Sequence, residues 1–283
     1  MKRILVPTDF SKIAGNATDI AFDIAKRSGA SVTLLHVIEE ATGGTSFNAE
    51  GQVATSSMAD RLYMMKLIQK TKAQMEKIVK DPRYADVKIE GALRIGNAFH
   101  GMQTIITEQK VDLVVMGTSG KTGLAGALIG SNAEKVIRHA KCPVLTIQRK
   151  PANTDFKNIV YATAMSKDEE VFSRILKTTQ QIYNSTLHIV RINTPGDFQP
   201  DFVVKDYMEK FVKKLGLKNY TLNIFNDVTV DEGIIHFGDQ INADMLAMAT
   251  HGRSGFAQVI AGSVAETVAS QAKRPVLTFV VKH

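Results

Sequence analysis

The segment Val111-Asp112-Leu113-Val114-Val115-Met116 returns as Ala243-Asp244-Met245-Leu246-Ala247-Met248, 132 residues further on. At the same offset Gly120 meets Gly252, Gly130-Ser131 meets Gly262-Ser263, Ala133-Glu134 meets Ala265-Glu266, and Pro143-Val144-Leu145-Thr146 meets Pro275-Val276-Leu277-Thr278. A spacing kept across so many positions is the mark of a duplicated unit. The 283 residues also exceed the usual size of one domain. Two copies of one fold are therefore expected, at 1-150 and 155-283, joined by the short polar stretch 151–154. Towards the start of each copy the offset changes: Ile4-Leu5-Val6 pairs with Ile159-Val160-Tyr161 at 155, and Leu35-His36-Val37 with Leu187-His188-Ile189 at 152. On that alignment the first copy has three extra residues before its second strand and twenty after it, the larger insertion falling in the Gly/Thr/Ser-rich residues 41–57 as a long mobile loop.

Within the first copy, strand and helix patterns take turns. Strands over 4–6 and 32–37 flank a helix whose Ala17, Ile20, Ala21, Ile24 and Ala25 recur at helical spacing, closed by Gly29 as a C-cap. A long amphipathic helix over 58–80, a strand over 87–93, a helix over 97–109, a buried strand over 113–116, a helix over 132–140 and a strand over 144–147 complete the unit. Such alternation predicts an α/β fold: two tandem doubly wound domains, each a Rossmann-like five-stranded parallel sheet with helices on both faces. Ligands of such sheets sit beyond the carboxyl ends of the strands.

Composition narrows the function. With 44% hydrophobic and 22% charged residues and no apolar run near the roughly 18 that a span requires, no membrane segment is expected. Ile4-Leu5-Val6 is ended by Pro7 and Asp9 before a signal-peptide core is complete, so a cytoplasmic location is expected. Cys142 is the single cysteine, which excludes an internal disulfide and reads as a small buried hydrophobe. Residues 1–150 hold 21 Lys+Arg and 14 Asp+Glu; the totals of 35 and 28 leave 14 of each for the rest, so the whole +7 excess lies in the first half. Lys66, Lys70, Lys77 and Lys80 are spread along a helix, the pattern of a solvated face rather than of a nucleic-acid surface.

After the fourth strand come Gly117, Gly120, Gly123, Gly126, Gly130 and Ser131, then a helix. Glycines let the backbone approach an anion, and the free amides of the following helix attract negative charge, so this is a phosphate cradle. The competing reading is a capping box of Ser131 with Glu134, and the two can coexist. A P-loop is excluded, because the glycine it requires five positions before Gly120 is Val115. Met165-Ser166-Lys167 is similar to a synthetase signature but has no companion histidine motif.

The spacing Gly117-x2-Gly120-x9-Gly130-Ser131 resembles the G-x2-G-x9-G-(S/T) motif of the ATP-binding branch of the universal stress protein family, matching every fixed position. The opening Ile4-Leu5-Val6-Pro7-Thr8-Asp9-Phe10-Ser11 resembles that family's first strand and Cys142-Pro143-Val144-Leu145 its last, and the likeness covers the chain twice. The resemblance implies an adenine nucleotide alpha hydrolase-like fold that binds ATP, with magnesium bridging the phosphates. It implies that Asp9 faces adenine and ribose with Pro7 and Thr8 alongside, that Val37 bonds adenine through its backbone, and that Met116 belongs to the same site. Gly117 and Gly120 would approach ribose and phosphate; Gly130, Ser131 and Asn132 would hold the phosphates. No catalytic residue and no metal-ligating side chain is implied. On local sequence alone Asp9 is a turn residue or a helix N-terminal charge.

In the second copy Asp9 becomes Ala164 and Gly117 becomes Ala249, while Gly252, Gly262 and Ser263 remain and Val37 becomes Ile189. Weak or absent ATP binding is expected there, leaving room for an anion or an unrelated ligand. His251 and Arg191 read as solvated loop charges. The leading functional expectation is a non-enzymatic stress or signalling protein in which ATP orders residues 41–57 and alters partner binding. The alternative is a slow ATP hydrolase or autophosphorylating protein with Ser131, Thr118 or Ser119 as exposed acceptors, for which Asp9, the only nearby carboxylate, lies too far from the γ-phosphate. A third reading gives the second copy a different small ligand. In the family the last strands of two domains pair, so 144–147 and 276–280 should meet across an internal pseudo-two-fold axis and cover two sheet edges. A homodimer is the expected further assembly, and the sequence names no protein partner.

Overall fold

Ile4, Leu5 and Val6 are all buried, and an apolar run covered on both faces is what an inner strand of a parallel sheet needs. The computed structural model describes residues 1–39, 58–118, 129–151, 153–251 and 261–281. In the first copy β1 (Arg3–Pro7), α1 (Lys12–Ser28), β2 (Ser31–Ile38), α2 (Met58–Val79), β3 (Ile89–Ile95), α3 (Ala98–Glu108), β4 (Leu113–Gly117), α4 (Ser131–His139) and β5 (Val144–Ile147) follow one another. The second copy repeats the order as β6 (Asn158–Ala162), α5 (Glu170–Tyr183), β7 (Thr186–Asn193), α6 (Asp201–Leu215), β8 (Tyr220–Asn226), α7 (Val230–Gln240), β9 (Met245–His251), α8 (Ala261–Gln271) and β10 (Val276–Val281). The strands form one ten-stranded sheet in the order β3-β2-β1-β4-β5-β10-β9-β6-β7-β8. All pairings are parallel except β5 with β10. Helices α1 and α5 pack on one face, and α3, α4, α7 and α8 on the other. Among the described residues no helix is long and apolar enough to cross a membrane.

The sequence alignment of the second strands does not hold in three dimensions. Ile4 pairs with Val32 and Ile159 with Leu187, so the offset of 155 runs through both first strands and both second strands. Gly29 and Asn184, also 155 apart, close the intervening helices in the left-handed conformation. The likeness of Leu35-His36-Val37 to Leu187-His188-Ile189 is a coincidence of composition. A slip of three residues inverts every side chain of a strand, and Leu35 faces the α3/α4 side whereas Leu187 faces the α1/α5 side. The counterpart of Val37 is therefore Ile192: Gly101 backs the one and Gly233 the other. No extra residues precede the second strand. The offset falls to 131 at the third strands, where Val32 pairs with Ile89 and Leu187 with Tyr220. The whole excess of the first copy, 24 residues, thus lies between β2 and β3, part of it in α2, which has 22 residues against 15 in α6. The third strand starts at Ile89 rather than Val87, because the Val87 N–H is drawn into a turn on the Tyr84 carbonyl.

The antiparallel seam is symmetric. Leu145 faces Leu277, its own duplicate, while Thr146 faces Val276 and Val144 faces Thr278. The pseudo-two-fold axis passes through the leucine pair, 1% and 3% exposed. Thr146 Oγ1 donates to the Val276 carbonyl at 3.1 Å and Thr278 Oγ1 to that of Val144 at 3.4 Å. At the rim Arg138 of α4 bridges Glu134 and its duplicate Glu266, and on the other face Arg27 lies 4.9 Å over the Tyr183 ring. Cys142 is buried and desolvation pushes its thiol up to about 12, so it stays protonated and inert at neutral pH.

Leu277→Asp would bury an uncompensated charge on the axis and is expected to cost roughly 3 kcal/mol or more. Arg138→Ala at the solvated rim should cost under about 1 kcal/mol. Urea unfolding of both variants measures the difference, and equal losses would contradict a seam held by its apolar centre.

Candidate functional site

β1, β2 and β4 end side by side, and the chain segments leaving them separate around a cavity of about 470 Å³. Its floor is apolar, made by Leu35 and Val37 of β2, Met116 of β4, Met102 of α3 and Ala133 of α4. Thr8 and Asp9 reach it from the β1–α1 turn, Thr118 from the end of β4, and Ser131 and Asn132 from the start of α4. An apolar cleft with a few convergent polar groups at the carboxyl ends of parallel strands is the usual small-molecule site of an open α/β sheet. Pro7, Thr8, Asp9, Val37, Met116, Gly117, Gly130, Ser131 and Asn132 all line this one cavity. Gly120 and Ser119, like residues 41–57, lie outside the described residues.

The β1–α1 turn fixes one end. The Thr8 N–H donates to the Leu35 carbonyl at 2.8 Å, the last ladder bond between the two strands. Phe10 then takes a left-handed φ of 62° with its N–H on Thr8 Oγ1 at 3.0 Å. Asp9 Oδ1 accepts from the Ser11 N–H at 2.9 Å, and Ser11 Oγ caps α1 by accepting from the Ala14 N–H at 3.2 Å. Asp9 is thus a turn residue and a cavity residue at once. Because Leu35 bonds towards β1 and Ile38 towards Gly96 after β3, alternation turns the peptide groups of Val37 towards the β1 side, past the point where β1 has turned away.

At the other end, α4 has Gly130 as N-cap and no side-chain capping bond. The capping box read from the sequence does not form. Ser131 is already helical and exposed, and Glu134 pairs instead with Arg138 at 3.0 Å, one helical turn on. The first-turn amides, which no helix can satisfy internally, are left beside the cavity. Thr118, read as an exposed hydroxyl, is 1% exposed, and its Oγ1 is buried with no hydrogen-bond partner among the described residues. Gly117 has a further reason to lack a side chain: a Cβ there would lie 2.7 Å from Ile13 Cγ2 in the first turn of α1. Sequence reasoning missed Glu39, two positions past Val37. It lines the cavity, and its Oε1 accepts from Asn132 Nδ2 at 3.3 Å.

The second copy holds the same turn differently. Met165 repeats the left-handed conformation at φ 60°, with its N–H on Thr163 Oγ1 at 2.8 Å. The Ser166 N–H, counterpart of that of Ser11, is taken by Glu169 Oε1 at 3.0 Å, so Ala164 can stand where Asp9 stands in the first copy. The Glu169 carboxylate, 1% exposed, also accepts from Thr163 Oγ1 at 2.8 Å and from the Tyr161 hydroxyl; desolvation, and after it the charge of Glu169, raises the Tyr161 pKa. Beyond Ala249 the chain continues as strand through Thr250 and His251, paired with Val280 and Val281, whereas β4 stops at Gly117. His251 therefore ends a strand rather than lying in a loop. Gly252 lies outside the described residues, as do the side chains at 251 and 261–263. Arg191, read as a solvated charge, lies in β7 with its side chain 13% exposed.

A model of the Universal stress protein family matches residues 1–148 and again residues 155–279. A universal stress protein of Synechocystis, Slr1230, is 23% identical over 290 residues, covering 99% of this chain and 100% of that protein. A universal stress protein of Methanocaldococcus jannaschii, MJ0531, is 33% identical over 148 residues, covering 52% of this chain and 82% of the relative. The crystal structure of a universal stress protein from Archaeoglobus fulgidus shares the fold, with a TM-score of 0.73 at 20% identity over 98% of this chain and 97% of that one. With one match to each copy, the chain belongs to the universal stress protein family as two tandem domains.

Proposed function

We propose that this chain is a nucleotide-dependent stress-response protein of the cytoplasm that binds ATP in the cavity of its first domain. One observation carries the reading: a single apolar cleft has an open peptide edge at Val37 on one side and the uncapped start of α4 on the other. A flat base needs the first, and a phosphate tail needs the second. The glycine spacing that resembles the family's ATP-binding branch supports the same assignment. Asp9 would face the sugar, and Gly130, Ser131 and Asn132 would meet the phosphates. The charged residues lining the described part of the cavity are acidic, Asp9 and Glu39, so magnesium bridging the phosphates would supply counter-charge. Among the described residues no cluster of three or more His, Cys, Asp or Glu could hold a metal alone, so the ion would arrive with the nucleotide. The second domain would not take ATP in this manner, because its fourth strand continues where the first domain's glycine segment begins.

Mass spectrometry of nucleotide released from the purified protein tests this directly. Ser131→Asp is the informative variant, because a carboxylate at an exposed first-turn position stabilises the helix by about 0.3–1 kcal/mol while repelling a phosphate. The expected outcome is a melting temperature unchanged or raised with nucleotide content at least about tenfold lower, the loss of one charge-assisted contact; unchanged content would refute the assignment. Glu39→Gln removes a like charge and should tighten metal-free ATP several-fold, on the order of 1 kcal/mol. Calorimetry in chelator reads this, and an unaltered Kd would place the phosphates elsewhere. Following nucleotide identity over hours with magnesium separates binding from turnover.

A further inference from the structure

The second domain has a cavity of about 430 Å³ on the opposite face of the sheet, between the β6–α5 turn, the end of β7 and α6. We propose that it binds a small organic anion carried on a flat apolar body, the chemistry shared by aryl phosphates and aryl carboxylates. Two of its lining residues replace a ring stack found in the first copy of the scaffold. At the offset of 155 fixed by the strand register, Met165 corresponds to Phe10 and Arg191 to His36. In the first domain the Phe10 and His36 rings stack with centroids 4.7 Å apart, and the His36 ring is held by an Nδ1–H donated to the Thr8 carbonyl at 2.6 Å. Met165 keeps the backbone of Phe10 but not its ring, and Arg191 supplies a cation where the imidazole lay.

The lining is selective. Met165, Phe211 and Leu215 form an apolar floor with Tyr207 at the edge, and four cations, Lys167, Arg191, Lys210 and Lys214, face a single carboxylate, Glu170. Lys214 pairs with Glu170 at 2.5 Å, Lys210 with Asp206 at 2.6 Å, and the Arg191 Nη2 with the exposed Asp197. Among the described residues Lys167 forms no ion pair and the Arg191 Nε is buried with no acceptor. Arg191 shares its side of β7 with the core residues Leu187 and Ile189, where packing alone would favour an apolar residue. The Arg191 side chain, 13% exposed, lines the cavity, and a planar guanidinium there matches the oxygens of a carboxylate or phosphate. The apolar floor selects an anion bearing a ring over a bare inorganic one.

The test titrates the full chain with phenyl phosphate, benzoate and inorganic phosphate by calorimetry. At least one aromatic anion should bind with a Kd at or below roughly 1 mM, about tenfold or more tighter than inorganic phosphate. Arg191→Met should weaken it by about tenfold or more, as expected for loss of a hydrogen bond from a charged group. Met165→Phe with Arg191→His, which restores the stack of the first domain, should abolish it. If Arg191→Met fails to fold, Lys167→Ala at an exposed position takes its place, with a several-fold loss expected. Ser131→Asp should leave the aromatic anion unaffected, which keeps this site separable from the ATP reading. Wild-type protein that binds neither aromatic anion, inorganic phosphate that binds as tightly, binding retained in the stacked variant, or binding lost in Ser131→Asp would each overturn the proposal.

Discussion

Both cavities take their place from one turn. In each copy the first strand makes a last ladder bond, Thr8 N–H to Leu35 or Thr163 N–H to Val190, and two residues later the backbone enters the left-handed region with its N–H on that threonine's hydroxyl. Stopping the strand there strips the second strand of a neighbour on one side. On the α3/α4 face of the first domain this opens the peptide edge of Val37. On the other face it presents the side chain of the left-handed residue to the second strand, Phe10 to His36 or Met165 to the region of Arg191. A non-glycine residue at positive φ is disfavoured, so both copies keep a strained position that shapes their carboxyl ends.

Duplication shows which parts of a site belong to the fold and which to the ligand. The Ser11 amide must be satisfied in either copy, and the two do it with different carboxylates, Asp9 from before the turn and Glu169 from after it. The change from Asp9 to Ala164 is thus compensated structurally, which leaves exposure of a carboxylate to the cavity as the feature peculiar to the first copy. Gly117 carries the opposite lesson. Its missing Cβ is required by Ile13 whether or not a ligand binds, so glycine at that position is evidence of helix packing as much as of close approach to a sugar.

The alternation of strands and helices and most element bounds of the first copy were legible because they rest on local periodicity, and the duplication because the repeat keeps its register at 132 over β4, β5 and their duplicates. The failures share a cause. Two matching letters and a Val/Ile pair suggested an offset of 152, but similarity of residue type carries no information on which face of the sheet a side chain takes, and an odd slip inverts it. Ser131 and Glu134 have the spacing of a capping box, yet Gly130 occupies the cap and Arg138 claims the glutamate. Thr118 read as exposed because it lies among glycines; its burial follows from the Ile147 carbonyl receiving its N–H and the Gly130 N–H reaching its carbonyl, contacts remote in sequence. Arg191 read as solvated because the second strand of that copy was expected to end before it, whereas β7 runs on to Asn193.

The seam at Leu145 and Leu277 makes the two sites thermodynamic partners even though they lie on opposite faces. One hydrogen-bonded sheet runs through both domains, so unfolding either exposes the last strand of the other and removes apolar area from both cores. A ligand that binds only the folded state adds RT ln(1 + [L]/Kd), about 2.7 kcal/mol at a hundredfold excess over Kd, and across such a seam that increment is shared. Among the described residues the buried atoms without a partner are Thr118 Oγ1 and Gln148 Oε1 in the first half and Arg191 Nε and Asn193 Oδ1 in the second, destabilising by about 1–3 kcal/mol each. A two-domain chain can carry such defects in each half because the seam lets the more stable half support the other.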